Sequence, residues 1–177
     1  YELDCLIYAS GFEVGTDYTR RAGFDLTGRA GLKLSTKWAD GMTSLHGIHV
    51  HGFPNAFIVG FSQAATLISN IPHNFTDAAQ TIAAVISRTM ESGADEVEVT
   101  AEAESAWVAK LEAGGRTFGG ADDCTPGYYN NEGQPRSPAA LRNSVGYPDG
   151  PVAYFDYIEG WRNAGEYAGL EFRTRGG

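Results

Sequence analysis

An apolar run close to the first residue places the strongest constraint on the fold of this chain. Residues 3–9 are apolar at every position except Asp4. Such a run is typical of a strand that is buried in a sheet with neighbours on both of its edges. A natural N-terminus seldom begins two residues before a buried strand. We therefore expect the complete protein to contain further chain before Tyr1.

The composition predicts one folded domain. The chain has 177 residues, of which 42% are hydrophobic and 12% aromatic, which is enough for a single core. A net charge of -9 offers no basic surface for nucleic acid or an anionic membrane. No apolar run reaches the roughly 18 residues that a membrane-spanning helix needs. We expect a soluble, cytoplasmic protein without nucleic-acid or membrane partners, in which Cys5 and Cys124 are reduced thiols.

Hydrophobic patterns predict further strands in the first third of the chain. Residues 32–34 alternate between apolar and polar, as in an exposed or edge strand. Residues 48–51 also alternate, and residues 56–59 are wholly apolar. The turn-forming sequence Gly-Phe-Pro-Asn lies between them at 52–55. We therefore predict two strands joined by a tight turn.

The middle of the chain has the periodicity of an amphipathic helix. Apolar residues recur at spacings of three and four between Ala79 and Met90. Asn74 or Thr76 can cap the start of this helix, and Gly93 ends the pattern. The apolar stripe predicts a helix that packs on a sheet.

A short strand, a second amphipathic helix and a long loop are expected beyond it. The strand is predicted around Val97, and Thr100 can cap a helix that ends at Gly114. Residues 122–150 are rich in Gly, Pro and Asn, and are long enough to be a working loop rather than a connection. A short helix is predicted around Trp161.

Three histidines and two aspartates are the groups to weigh as chemical sites. His49 and His51 lie two apart on a predicted strand with His46 nearby, but no Cys, Asp or Glu stands at a spacing that would complete a metal site. Asp122 and Asp123 are adjacent in a Gly-rich loop, where carboxylates are usually solvated. We interpret the histidines as structural and the two aspartates as solvated side chains.

The absence of two fingerprints restricts the function further. No G-x-G-x-x-G occurs, so the chain lacks the turn that places a pyrophosphate on a helix N-terminus. No G-x-S-x-G occurs either, so hydrolase chemistry has little support.

An ordered series of motifs resembles the class B flavin monooxygenases. The first motif is the predicted strand and turn Asp-Cys-Leu-Ile-Tyr-Ala-Ser-Gly-Phe-Glu at residues 4–13. It is followed at the family's spacing by Gly-Phe-Pro-Asn at 52–55, Phe-Ile-Val-Gly at 57–60 and Leu-Ile-Ser-Asn at 67–70. The resemblance covers nearly the whole chain and is closest to the Baeyer-Villiger branch of the family.

The resemblance implies an α/β fold. The chain looks like the C-terminal part of a Rossmann-like FAD-binding domain in a flavoprotein with two dinucleotide-binding domains. On this basis residues 1–72 form a sheet and flavin-facing turns, and residues 73–115 form a helical part. Residues 116–150 form a mobile active-site loop, and residues 151–177 form the C-terminal segment.

The same resemblance assigns candidate site residues, none of them catalytic or metal-binding. The residues implied to face the flavin or the junction of its domain are Gly11, Phe12, Gly60, Phe61, Ser69, Asn70 and Ile71. Those implied to face the substrate are Thr66, Leu67 and Ile68, with Tyr128 and Tyr129 from the loop. Core packing is an equal alternative for Leu67 and Ile68. The family often has Gly-Pro where this chain has Gly60-Phe61, and a Trp in the loop that either tyrosine could replace.

The complete enzyme is implied to use FAD and NADPH. With O2 it would insert one oxygen atom next to the carbonyl of a ketone to give an ester or lactone. The family's nucleotide-binding fingerprints would lie in an N-terminal portion before Tyr1. We therefore expect this chain alone to retain no cofactor and to be inactive. The alternative is a truncated, non-catalytic module that self-associates through the sheet edge beside residues 3–8.

Overall fold

The computed structural model describes residues 2–8, 18–60, 62–66, 69–114 and 137–174. The first described helices are short, and a 3-10 turn at Arg29–Gly31 separates them. The helices are α1 (Tyr18–Ala22), α2 (Leu34–Lys37), α3 (Ile71–Glu91), α4 (Ala101–Gly114), α5 (Pro138–Ser144) and α6 (Pro151–Ala164). The strands are β1 (Glu96–Val99) and β2 (Leu170–Arg173).

The main core lies between the long helices and the strand pair. Val85 of α3, Leu111 of α4 and Ile158 of α6 are fully buried in it. A smaller cluster is built from Leu34, Val50 and Phe53. α4 and α6 bury mainly apolar residues, as the spacing of their apolar residues predicts. The apolar stripe predicted for α3 between Ala79 and Met90 is wrong as its buried face, because Ile86 and Met90 are exposed and the helix instead buries Asn74, Asp77, Ala78, Thr81, Val85 and Thr89.

β1 and β2 form an antiparallel pair in which Val97 lies opposite Phe172. All four residues of β1 are buried, whereas β2 alternates between half-buried and exposed positions. The strand predicted around Val97 is therefore confirmed. β2 was not predicted, because its sequence Leu-Glu-Phe-Arg is too short and too polar to stand out from a loop.

Two glutamates of β1 are buried because arginines from distant parts of the chain pair with them. The Nε atom of Arg29 donates to Glu98 at 2.9 Å, and Arg173 donates to the same carboxylate at 2.8 Å. Arg29 also pairs with Glu96. Although burial alone would raise it, the Arg29 hydrogen bond and the backbone N–H of Gly52 hold the pKa of Glu98 below its usual value.

The prediction of regular strands in the first third of the chain is wrong. Described residues 2–8 form no strand, and the side chains of Leu3, Leu6, Ile7 and Tyr8 are between 61% and 83% exposed. Their backbone has no sheet to join among the described residues, and an isolated strand is not stable.

The predicted strand pair at 48–51 and 56–59 is reduced to isolated bridges. His49 pairs with Phe57, and the N–H of Ile58 donates to the carbonyl of Ile48 at 2.8 Å. The chain does reverse direction between them, as the Gly-Phe-Pro-Asn turn predicts. Residues 32–34 contribute only the bridge of Thr27 to Lys33, and α2 begins at once after it.

The helix predictions are largely confirmed, with one corrected boundary. α4 ends at Gly114, and the Thr100 hydroxyl accepts from the N–H of Ala103 at 3.1 Å, as a cap. α3 begins earlier than predicted, and its cap is Asn70 rather than Asn74 or Thr76. Proline is tolerated in the first turn, so Pro72 does not delay the start of the helix.

The predicted loop at 122–150 contains a helix. Its described part, residues 137–150, holds α5, and residues 115–136 lie outside the described residues. α6 begins at Pro151 and includes the short helix expected around Trp161. The glycines and prolines that suggested a continuous loop lie partly at helix ends, as Gly150 and Pro151 do.

Candidate functional site: the turn before helix α3

The structure describes five of the twelve site residues assigned from the sequence. Gly60, Thr66, Ser69, Asn70 and Ile71 lie within one stretch that leads into α3. The other seven lie outside the described residues, namely Gly11, Phe12, Phe61, Leu67, Ile68, Tyr128 and Tyr129. The roles assigned to those seven stay predictions.

Gln63 anchors the beginning of this stretch. Its side chain is fully buried, accepts from the Ser44 hydroxyl at 2.6 Å and donates to the carbonyl of Met42. Its backbone carbonyl accepts from the indole N–H of Trp107 at 3.1 Å. Gln63 has a positive φ of 56°, which is uncommon for a residue other than glycine. These hydrogen bonds compensate for the unfavourable backbone conformation.

Thr66 forms the next turn, and its carbonyl is held from two sides. The Asn74 side-chain amide donates to this carbonyl at 3.1 Å, and the Ser69 hydroxyl lies 3.0 Å from it. The same hydroxyl lies 2.9 Å from Oδ1 of Asn74. Thr66 has a φ of 64°, which a β-branched residue rarely adopts. The turn is therefore tied to the first turn of α3.

The N-terminus of α3 is capped and accessible. Oδ1 of Asn70 accepts from the N–H of His73 at 3.2 Å, and Ile71 is 37% exposed. The helix is 21 residues long, so its aligned peptide dipoles place a partial positive charge at this end. Such an end favours the electron-rich edge of a ligand.

Gly60 leaves open space on its side-chain face. A Cβ atom built on Gly60 meets no described atom within 4 Å, and the residue has no positive φ. Neither the packing of the described residues nor the backbone conformation therefore requires glycine there. The backbone of Gly60 is therefore open to close approach by another group. Together with the N-terminus of α3, this open face makes the stretch a candidate binding surface.

Sequence reasoning missed three residues that shape the site. Asn74 was predicted only as a possible helix cap, and neither Gln63 nor Gly146 was assigned a role. Asn74 is 5% exposed, and a buried amide must hydrogen bond to something. Its position eight residues after Thr66 is the one local signal that could have suggested a closed turn.

Behind the turn lies a cluster of aromatic rings around His46. The ring packs edge to face against Trp107 and Trp161, with centroid distances of 4.7 and 4.8 Å. Its Nε2 atom lies 3.1 Å from the hydroxyl of Tyr157. Burial lowers the pKa of His46 well below its usual value, and burial lowers the pKa of His49 to about 4. Both rings are neutral parts of the core at pH 7.

Metal-binding and membrane-spanning features were searched in the same part of the chain. Within the described ranges, His, Cys, Asp and Glu side chains form no group of three that could hold a metal ion. None of the helices described there is long and apolar enough to cross a membrane.

An open cleft of about 880 Å³ lies elsewhere on the molecule. Its walls include Arg29, Phe53, Glu96 and Arg173. The two arginines already pair with the buried glutamates of β1, so the charges of the cleft are largely satisfied within the chain. The turn before α3, and not this cleft, is therefore the candidate site.

Curated proteins similar to this chain are flavin monooxygenases. Neopentalenolactone D synthase of Streptomyces avermitilis is 39% identical over 98% of this chain, and the match spans 29% of that protein. Baeyer-Villiger monooxygenase 4 of Dietzia sp. is 36% identical over 97% of the chain and 28% of its own length. The FAD-binding monooxygenase hmp7 of Hypomyces subiculosus is 37% identical over 97% of the chain and 28% of its own length. No protein-family model matches the chain.

Solved structures give the same result. The polycyclic ketone monooxygenase of Thermothelomyces thermophila superposes with a TM-score of 0.72 at 30% identity, over 89% of this chain and 25% of that protein. Cyclohexanone monooxygenase from Rhodococcus sp. Phi1 bound to NADP+ superposes with a TM-score of 0.68 at 25% identity, over 99% and 31%. The chain spans about 30% of the length of the curated relatives it matches. Over nearly its whole length, this chain is therefore homologous to part of the Baeyer-Villiger and FAD-binding monooxygenases.

Proposed function

We propose that this chain is the C-terminal part of the Rossmann-like FAD domain of a Baeyer-Villiger monooxygenase that acts on a ketone. The observation that carries the proposal is the similarity to a Baeyer-Villiger monooxygenase over 97% of the chain. Residues 1–72 would contribute the sheet and flavin-facing turns, and residues 73–115 the helical part. Residues 116–150 would contain the active-site loop, and residues 151–177 the C-terminal segment.

The turn before α3 supplies the flavin-facing surface. Ser69, Asn70 and Ile71 would hold the isoalloxazine ring, and the open face of Gly60 would admit the ribityl chain. The partial positive charge at the start of α3 favours the electron-rich edge of the ring. When bound, FAD with NADPH and O2 supplies the redox chemistry that inserts one oxygen atom next to the ketone carbonyl.

Side chains of this chain orient the ketone and exclude water from it. By resemblance to the family, Thr66, Leu67 and Ile68 would line the substrate pocket, and Tyr128 or Tyr129 would cover it from the loop. An apolar pocket that excludes water prevents side reactions and strengthens the electrostatic interactions within it. In this proposal the chain supplies binding and orientation, and none of its residues is assigned a catalytic role.

The isolated chain should bind no flavin. Tight FAD binding uses a Gly-rich turn at a helix N-terminus for the pyrophosphate, and the sequence contains no G-x-G-x-x-G. Losing several charge-assisted hydrogen bonds of about 1.5 to 3 kcal/mol each would turn a nanomolar site into a millimolar one.

Expression of the complete reading frame beside the 177-residue chain tests the proposal. The complete protein should remain yellow through gel filtration, oxidise NADPH faster when a cyclic ketone is added, and convert that ketone to a lactone. The chain alone should be colourless and should leave NADPH unchanged. One FAD per chain on the isolated 177 residues, or no flavin on the complete protein, would contradict the proposal.

A self-associating module is the second candidate function, and exposed apolar side chains favour it. Ile7 and Tyr8 are more than 80% exposed, and Leu3 and Leu6 lie on the same short stretch. An unpaired apolar segment of this kind can join the edge of a sheet in another molecule. Sedimentation of the 177-residue chain distinguishes the candidates, since a dimer that Ile7→Lys dissociates would favour the module.

A further inference from the structure

We infer that Gly146 is a positioning residue that fixes the shape of the flavin-facing turn by its contact with Thr66. The inference rests on the proposed function for the identity of that turn. It adds a residue that is distant in sequence, that touches neither cofactor nor substrate in the proposal, and that acts through another residue.

Two backbone hydrogen bonds join the turn to the stretch that contains Gly146. The N–H of Gln63 donates to the carbonyl of Val145 at 3.0 Å, and the N–H of Tyr147 donates to the carbonyl of Ala64 at 3.0 Å. Val145 and Tyr147 are both buried in the main core. Residues 145–147 are therefore held in a fixed position beside residues 63–66.

Gly146 lies between those two hydrogen bonds and faces Thr66. A Cβ atom built on Gly146 would lie 1.9 Å from Cγ2 of Thr66 and 3.3 Å from the carbonyl oxygen of Ala64. Gly146 has no positive φ, so its backbone conformation suits any residue. Glycine is required at this position only because Thr66 occupies the space that a side chain would need.

Thr66 transmits this contact to the start of α3. Its carbonyl accepts from Asn74, and the Ser69 hydroxyl bridges the two residues. Its φ of 64° is unfavourable for a β-branched residue and persists only where neighbours hold it. A displacement of Thr66 therefore reaches Ser69 and Asn74, and through them the capped first turn that faces the flavin in the proposed function.

Four variants of the complete protein isolate the contact. Gly146→Ala introduces the clash, and Thr66→Ser removes only the methyl group that the new Cβ would meet. The double variant combines them and should restore the original spacing. Gly160→Ala is the matched control, because a Cβ at Gly160 in α6 meets nothing within 4 Å.

Amide hydrogen exchange and the visible circular dichroism of bound flavin provide the readouts. Gly146→Ala should accelerate exchange in residues 62–66 and 73–75 by about tenfold or more, while the core of α4 keeps its protection. It should also alter the flavin circular dichroism and change the ratio of kcat/KM between a small and a bulky ketone by about tenfold. Because Thr66 itself lies in the proposed substrate pocket, Thr66→Ser alone is the reference for the double variant, which should differ from it in none of the three readouts, and Gly160→Ala should change none of them.

Several results would overturn the inference. One is uniform acceleration of exchange across α3, α4 and α6 in Gly146→Ala, with equal kcat/KM losses for every ketone, because it would indicate general loss of core packing. If adding Thr66→Ser to Gly146→Ala does not slow the accelerated exchange, the contact between the two residues is also excluded as the cause. If Gly146→Ala does not fold, Asn74→Ala releases the Thr66 carbonyl from the other side and should accelerate exchange in the same residues. Unchanged exchange in Asn74→Ala would count against the inference.

Failure of the proposed function would show separately. It would leave the unsubstituted complete protein without flavin or ketone oxidation. Hydrogen exchange in the four variants needs neither, so it would still decide whether Gly146 positions the Thr66 turn. If the complete protein binds flavin normally but Thr66→Ser does not reverse the effect of Gly146→Ala on exchange, the proposed function stands and the role of Gly146 is overturned.

Discussion

Arg162 of α6 donates a hydrogen bond at 2.7 Å to the carboxylate of Asp77 in α3. The two side chains are 13% and 8% exposed, and the same guanidinium nitrogen donates to the Thr81 hydroxyl at 2.8 Å. This buried pair joins the helix that begins at the candidate site to the C-terminal helix. Removing one partner of such a pair leaves an uncompensated buried charge.

Arg162→Ala should therefore lower the free energy of unfolding by about 3 kcal/mol. Asp77→Asn keeps a hydrogen-bond acceptor for the guanidinium and should cost less than Arg162→Ala does. Urea denaturation of both variants and of Arg142→Ala measures the difference. Arg142 pairs with Glu112 at the surface and is the control, with an expected cost below about 1 kcal/mol. Equal losses for Arg162→Ala and Arg142→Ala would contradict the structural role of the buried pair.

The sequence was sufficient to predict elements whose stability is local. The stop of α4 at Gly114 and its cap at Thr100 depend on residues within one turn of each helix end. The helical spacing in α3 is also local, although it did not identify the buried face of that helix, since Ile86 and Met90 are exposed. Such features follow from backbone geometry, so they could be predicted without knowledge of the rest of the fold.

Elements that depend on distant partners could not be predicted in this way. Glu96 and Glu98 look like the exposed face of a strand, yet both are buried because Arg29 and Arg173 reach them. Residues 3–9 have the composition of a buried strand, but their described part is exposed. Whether a strand residue is buried depends on the residues that pack against it, and hydrophobic periodicity does not identify those residues.

The candidate site likewise contains residues that are adjacent in sequence and one contact between residues that are distant in sequence. Family resemblance assigned Ser69 and Asn70 to the flavin-facing surface, and the structure places them immediately before α3, so their role beside the flavin stays a prediction. The contact of Thr66 with Gly146 joins residues that are far apart in sequence. A Gly between Val and Tyr carries no local signal of such a contact, so it required coordinates.

Asn70→Ala should destabilise the start of α3. The variant removes the acceptor for the N–H of His73, and the loss of an N-cap costs about 1 kcal/mol. Asn70→Ser keeps a capping oxygen and should retain most of that stability. Thermal unfolding followed by circular dichroism gives the comparison. A loss of the same size in Asn70→Ser would show that Asn70 stabilises the protein by something other than its capping oxygen.

Ile68→Ala should change the substrate preference of the complete enzyme rather than its flavin content. Removing three carbons from a pocket wall alters discrimination between two ketones by about 1 to 3 kcal/mol. The measurement is the ratio of kcat/KM for a small and a large ketone, with the flavin absorbance of each preparation as control. Loss of flavin with equal losses for all ketones would assign Ile68 to the core.

Acidification from pH 7 should destabilise this protein through its two buried histidines. His46 and His49 are both buried, and burial lowers the pKa of each, to about 4 for His49. In the unfolded chain both have the usual pKa of about 6.5. Below pH 6.5 the unfolded state therefore binds protons that the folded state does not bind. The stability that the two neutral histidines contribute is fully present above pH 6.5 and is lost as the pH decreases toward 4.

The expected slope is about 1.4 kcal/mol per pH unit for each histidine, and about twice that for the pair. Urea denaturation at several values between pH 7 and pH 5 measures it. His49→Gln should halve the slope, whatever its effect on stability at pH 7, because one of the two protonation sites is gone. The lowered pKa of Glu98 places the titration of that carboxylate below this window. A slope that is the same in His49→Gln and in the original protein would mean that His49 is protonated in the folded state, which its position in the aromatic core opposes.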